Sequence, residues 1–256
     1  MKPFPFPFSR LAPRRLPPTL VALALALLAV GAAEYLVQQR QDESVRAATR
    51  EALEGTAGQD IDSKVAALRN YVRTHVRNVN FNANGRPFFR DTAADTLRTG
   101  RGRCGEATRV FINMAHAAGI PAQRLYLEGR KAHVVAAVET GDGRTLIVDA
   151  TERFYFPEIE PLSGLSRHTE FVSYSTFGWR RLSLLRALPS HSVSLGPLGY
   201  LFENPHALLA WAYFLSAALA LALAALLQHK LPRRQSQAER DAFGVHVTLE
   251  GGGVEA

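Results

Sequence analysis

The chain of 256 residues contains one cysteine, Cys104, with only two methionines and two tryptophans. A single cysteine excludes an internal disulfide. Histidines at 75, 116, 168, 191, 206, 229 and 246 are scattered and offer no paired metal ligands. The net charge of +7 comes with no zinc-finger spacing, no interleaving of aromatic and basic residues, and no helix-turn-helix pattern. Nucleic acid therefore lacks a binding signature. A phosphate-binding glycine loop and internal repeats are also missing, and no cofactor is expected.

Long apolar runs are present. Leu20 to Ala33 is unbroken, extended by Leu16 to Thr19 and by Tyr35 to Val37, with Glu34 as its one charge; Ala207 to Leu227 has no charge at all. Each is long enough to cross a bilayer. A cleavable signal peptide competes for the first run, but apolar character resumes after Ala33, which favours an uncleaved anchor. Lys2, Arg10, Arg14 and Arg15 precede the first run, and Lys230, Arg233 and Arg234 follow the second. The positive-inside rule then puts both termini in the cytoplasm. The expected division is a proline-rich tail at 1–17, a span at 18–38, an extracytoplasmic domain at 39–205, a second span at 206–228 and a cytoplasmic tail at 229–256, unstructured beyond Arg234. In a bacterium the domain would face the periplasm from the inner membrane.

Within the domain, Asp60 or Asp62 can cap a helix carrying Ile61, Val65, Leu68, Val72 and Val76 at helical spacing. Asn84-Gly85 and Arg86-Pro87 mark a loop. Ala107, Val110, Phe111, Met114, Ala115 and Ala118 then predict a second helix, stopped by Gly119 and Pro121, that begins within a residue or two of Cys104. Strands are expected at 124–128, 132–139 and 144–150, with Gly141-Asp142-Gly143 as a hairpin loop. Residues 152–205 are aromatic and turn-rich without periodicity. There, Trp179 to Leu188 fits an interfacial helix or an ordinary surface helix equally well.

An odd cysteine in an exported chain is an intermolecular partner or a reactive thiol. Cys104 sits where a helix N-terminus and the flanking Arg101 and Arg103 would favour the thiolate. Acyl transfer also needs an acid/base, usually a histidine oriented by an acid. His133 opens one strand and Asp149 closes another. With a three-residue loop, Thr140 faces Arg144 and Asp149 faces Val135, so side-chain alternation brings Asp149 diagonal to His133 on one face. Taken singly, Cys104 can be core packing, His133 a solvent-facing strand residue, and Asp149 the start of a turn. The ordered combination favours chemistry.

The segments RGRCGEATRVFINMAHAAGIPAQRLYL, AHVVAAVE and TLIVDAT resemble the transglutaminase-like superfamily of papain-type cysteine enzymes, over about residues 92–152 with weaker support back to 61–77. GRCGE is similar to its peptide N-glycanase branch. The resemblance implies an α+β core in which a cysteine-bearing helix packs on an antiparallel sheet, here between two transmembrane helices. It also implies Cys104 as nucleophile, His133 as acid/base and Asp149 as the residue orienting the imidazole. Family members commonly carry tryptophans where this chain has Val134-Val135 and Ile147-Val148. An upstream oxyanion donor is not singled out among Asn80, Asn82 and Asn84. The expected function is a membrane-anchored amide hydrolase or acyltransferase acting on peptide or protein substrates through a thioester. Protease or amidase activity is favoured over crosslinking, and glycan release ranks lower. The alternative is a catalytically silent, peptide-binding or complex-organising membrane protein on the same fold.

Overall fold

The computed structural model describes residues 16–56, 58–79, 91–178 and 190–246. Asn80, Asn82 and Asn84, and the Trp179 to Leu188 segment, lie outside the described residues. The chain divides into two compact units, one formed by residues 1–34 and 209–256 and the other by 35–208.

In the first unit run the leading part of α1 (Leu16–Ala52) and most of α6 (Pro205–His246). Two helical stretches, Pro18–Ala52 and Pro205–Gln228, are long and apolar enough to cross a membrane. Ala24, Ala217 and Ala220 pack together, and a Cβ on Gly31 would come within 2.7 Å of the Phe214 ring. Small residues at such a contact let two helix backbones approach closely. Leu23, Leu25, Leu215 and Leu219 point outward and are exposed. The backbone of α6 stays helical to His246, further than the unstructured tail expected beyond Arg234. Gln235 to Ala242 are mostly adequate helix formers, with no proline or glycine to stop them.

The second unit is a two-layer α+β domain. Asp60 caps α2 (Ile61–His75) by accepting the Ser63 N–H at 2.9 Å. Val65, Leu68 and Val72, one helical face, are buried. A two-strand parallel ribbon follows, in which β1 (Arg77–Asn78) pairs with β2 (Arg101–Gly102) across the short helix α3 (Ala93–Thr99). Then comes α4 (Cys104–Ala117), buried without interruption from Gly105 to Ala115.

The five-stranded antiparallel sheet has the order β6-β5-β4-β3-β7, with β3 at Ala122–Gly129, β4 at His133–Glu139, β5 at Thr145–Val148, β6 at Glu160–Pro161 and β7 at Phe171–Ser175. A 3₁₀ helix (Leu162–Arg167) precedes β7, and α5 (Leu198–Glu203) leads to α6. Ala122, Ala136, Val138, Leu146 and Val148 lie against α2 and α4 on one face of the sheet. Leu125, Leu127, Val135, Ala137 and Ile147 lie against Phe156, Leu165 and Phe171 on the other. Alternating residues thus serve two cores, which is why β4 reads as an almost continuous apolar run.

Candidate active site

Cys104 is the first residue of α4, and the chain enters the helix through Arg103 in an extended conformation. Glu106, three residues on, accepts the Arg103 N–H at 3.1 Å and anchors the entry. The preceding Gly102 faces inward; a Cβ there would meet Glu106 Cβ at 2.9 Å and Thr96 Cγ2 at 3.1 Å. This close approach presses the start of α4 against the domain. The helix meets the sheet at its first turns, where Thr108 Oγ1 donates to the Val134 carbonyl at 2.9 Å. The Val134 N–H donates to the Cys104 sulfur.

His133 opens β4, and Asp149 follows directly after the last residue of β5. The pairing Glu139↔Thr145 through Ala136↔Val148 is the register of a three-residue loop, closed by Thr140 N–H to the Arg144 carbonyl at 2.9 Å. Gly143 takes φ +81°, the left-handed conformation that this loop requires. His133 and Asp149 therefore share a face, and His133 Nε2 lies 2.9 Å from Asp149 Oδ2. With Nε2 engaged, the nitrogen left for the hydrogen bond to the Cys104 thiol is Nδ1. Cys104, His133 and Asp149 are brought together in one hydrogen-bonded row.

Asp149 is fully buried. Its Oδ1 accepts the Thr151 N–H at 3.1 Å and its Oδ2 accepts the Tyr155 N–H at 2.8 Å, so the carboxylate is held as an acceptor. The loop supplying these groups is fastened from α2. Arg73 donates to the carbonyls of Asp149 (3.0 Å), Phe156 (2.7 Å) and Pro157 (3.2 Å), and Arg69 to that of Pro157 (3.1 Å). The Tyr155 ring meets His133 edge-on at 4.9 Å, and Phe171 stacks on the imidazole at 6.5 Å. These two rings wall the imidazole in a chain that has no tryptophan beside His133 or Asp149.

Burial alone would raise the Cys104 thiol. The hydrogen bond and charge of His133 outweigh it, helped by the Val134 and Gly105 N–H groups, and the thiol is held below its ordinary value. Burial would likewise lower His133, but Asp149 and Cys104 outweigh it and push the imidazolium up to about 9. Burial works to raise Asp149; its hydrogen bond to His133, the charge on that ring and the loop N–H groups keep it lowered. The pattern favours a thiolate–imidazolium pair. The activating charge is His133, whereas sequence reasoning gave that part to Arg101 and Arg103. Both arginines are exposed, and solvent screens them from the sulfur.

Residues 47–150 match the family model of the transglutaminase-like superfamily. The chain carries a transglutaminase-like core. Among solved structures, a transglutaminase is similar at 17% identity and a TM-score of 0.38, covering 46% of this chain and 33% of its own. A candidate cysteine protease from Cytophaga hutchinsonii is similar at 18% identity and a TM-score of 0.37, covering 51% and 46%. Calcium-bound LapG of Legionella pneumophila is similar at 11% identity and a TM-score of 0.39, covering 56% and 80%. This chain thus spans about a third of that transglutaminase and under half of that protease. No curated protein matches it significantly. Among the described residues, no three His, Cys, Asp or Glu side chains group as a metal site.

Arg73, Tyr155 and Phe171 around the candidate site were not singled out by sequence reasoning. Arg73 stands about 100° round the helix from Val72, so the apolar spacing that marks the core face gave no signal for it.

Proposed function

We propose that this protein is a membrane-anchored, cysteine-dependent amide hydrolase or acyltransferase acting on peptide or protein substrates, with hydrolysis the favoured outcome. The observation that carries the reading is the hydrogen-bonded row of Cys104, His133 and Asp149, in which His133 is raised to about 9 and the thiol is lowered. The Cys104 thiolate attacks an amide carbonyl carbon. The developing oxyanion is met by the Cys104 N–H, which has no helix carbonyl before it in the first turn of α4. His133 passes its Nδ1 proton to the departing amine as the C–N bond breaks, leaving a thioester. Water then loses a proton to His133 and attacks the thioester. The acid is released, and the thiolate and imidazolium are restored. Asp149 keeps Nδ1 facing the sulfur and stabilises the imidazolium. An amine in place of water gives transfer.

The two apolar helices and their basic flanks support a topology with both termini in the cytoplasm and the domain on the outer side, periplasmic in a bacterium. The site is tested by labelling the full-length protein in detergent with a biotinylated peptidyl acyloxymethyl ketone. Cys104 should be modified far faster than the same thiol in the urea-unfolded chain, and Cys104→Ser should not be labelled. Equal rates for folded and unfolded protein would remove the enzymatic reading and leave a silent peptide-binding domain. Amine release against incorporation of a fluorescent amine into casein then separates hydrolysis from transfer.

A further inference from the structure

The ribbon leading into Cys104 carries three arginines on one surface. In the parallel pairing Arg77 is the direct partner of Arg101, and Asn78 of Gly102. Directly paired residues project to the same side, and alternation adds Arg103 to that side. Gly102 faces the opposite way, packed against Glu106, Thr96 and Val76. Arg77, Arg101 and Arg103 are all exposed. Like charges directly opposite in a sheet are destabilising, and no carboxylate among the described residues pairs with any of the three. Nearby carboxylates are committed to backbone: Glu152 accepts the Asn78 N–H at 2.7 Å, and Glu106 the Arg103 N–H at 3.1 Å. Among the described residues the three arginines thus have no carboxylate partner, and the groups that lower the thiol are His133 and the Val134 and Gly105 N–H groups rather than these arginines.

We infer that the ribbon Arg77, Arg101 and Arg103 selects an acidic peptide segment, Glu- or Asp-bearing, and leads it to Cys104. Arg103 is the residue before the nucleophile, so a chain acylating the sulfur must pass within reach of these guanidinium groups. Their fork geometry suits side-chain carboxylates. A positive rim at a cleft also raises the encounter rate of an anionic substrate in a salt-dependent way. This inference rests on the enzymatic reading for the place of the peptide, but binding itself does not need the thiol.

The test uses full-length Cys104→Ser protein in neutral detergent and two fluorescein-labelled peptides of one Ala/Gly backbone, one bearing three Glu and the other three Lys. Anisotropy should give an affinity about ten-fold higher for the Glu peptide at low salt, shrinking as NaCl is raised. Adding Arg77→Gln, Arg101→Gln and Arg103→Gln should level the two affinities. Arg98→Gln, an exposed arginine paired with Asp95 on α3, should leave the preference intact. If the triple change disturbs folding, Arg101→Gln with Arg103→Gln should still reduce the preference. Equal affinities in the starting protein, or a preference surviving the triple change, overturn the inference. So does a triple variant that loses only its binding to phosphatidylglycerol vesicles, which would make the ribbon a lipid contact. Because Cys104→Ser serves throughout, failure of thioester chemistry is read separately in the labelling experiment.

Discussion

His133 is under opposing pressures: burial disfavours its charge, and two hydrogen-bonded anions demand it. The anions prevail, with the imidazolium pushed up to about 9. Protonation of a leaving amine is therefore available below about pH 9 and lost above it, while the lowered Cys104 keeps thiolate present at pH values below those of a free thiol. The acylation rate should form a plateau whose alkaline limb falls near 9, measured by single-turnover kinetics across pH. Asp149→Asn should move that limb toward neutral pH. The same shifts bear on stability with opposite signs. The raised His133 contributes fully below its unfolded value, and this is lost as pH rises through about 9. The lowered Asp149 contributes above its unfolded value, and this is lost as pH falls through its folded value. Cys104→Ala should abolish acylation. Asp149→Ala should leave a measurable remainder, roughly three to four orders of magnitude below the parent rate, because it removes orientation and keeps the nucleophile.

At the scale of elements, the triad geometry depends on a hairpin and a staple. The hairpin was legible in sequence. A Gly-Asp-Gly loop sets which residues face each other, Gly143 supplies the one positive φ, and alternation carries Asp149 to the face of His133. The helix from Cys104 was equally legible, since its apolar spacing and its Gly119 and Pro121 stop are local signals. The staple was not. Arg73 stands 76 residues before Asp149, and helical spacing tells which side chains are buried without telling which carbonyl a long charged one will reach. The same holds for Tyr155, in the irregular segment between β5 and β6, and for Phe171, which opens a strand of five residues too short for alternation to stand out. Arg73→Leu deletes charge-assisted bonds to three carbonyls around the Asp149 loop. It should cost about 2–3 kcal/mol in urea denaturation. Arg73→Lys should restore part of this, since an ammonium keeps the charge and loses the fork.

Across residues 35–208, the helix that begins at Cys104 is tied to the end of the domain by buried polar groups. Glu203 on α5 accepts from Arg109 of α4 at 3.2 Å and from Arg124 of β3 at 2.7 and 2.5 Å. Asn204 donates to Asn113 of α4 at 2.7 Å and accepts from Gln38 of α1 at 3.2 Å. Glu203→Gln would leave two buried guanidinium groups without their shared anion, and the loss should be about 3–5 kcal/mol in thermal or urea unfolding. These contacts join Gln38, just past the first apolar run, to Asn204, just before the second, so both ends of the domain meet at the foot of α4. A chain that leaves and re-enters a bilayer needs its two crossings on one side of the intervening domain. The basic flanks are the ground for the proposed sidedness, with Lys2, Arg10, Arg14 and Arg15 before the first run and Lys230, Arg233 and Arg234 after the second. If both apolar helices cross, the tendency of positive flanks to stay cytoplasmic supports the proposed topology, with both termini there and Cys104 outside. Alkaline phosphatase and green fluorescent protein fused after Asp60 and after Arg234 should report opposite compartments, Asp60 exported and Arg234 retained. One compartment for both positions would mean that one apolar run does not cross, and would move the thiol chemistry to the cytoplasmic side or detach it from the membrane.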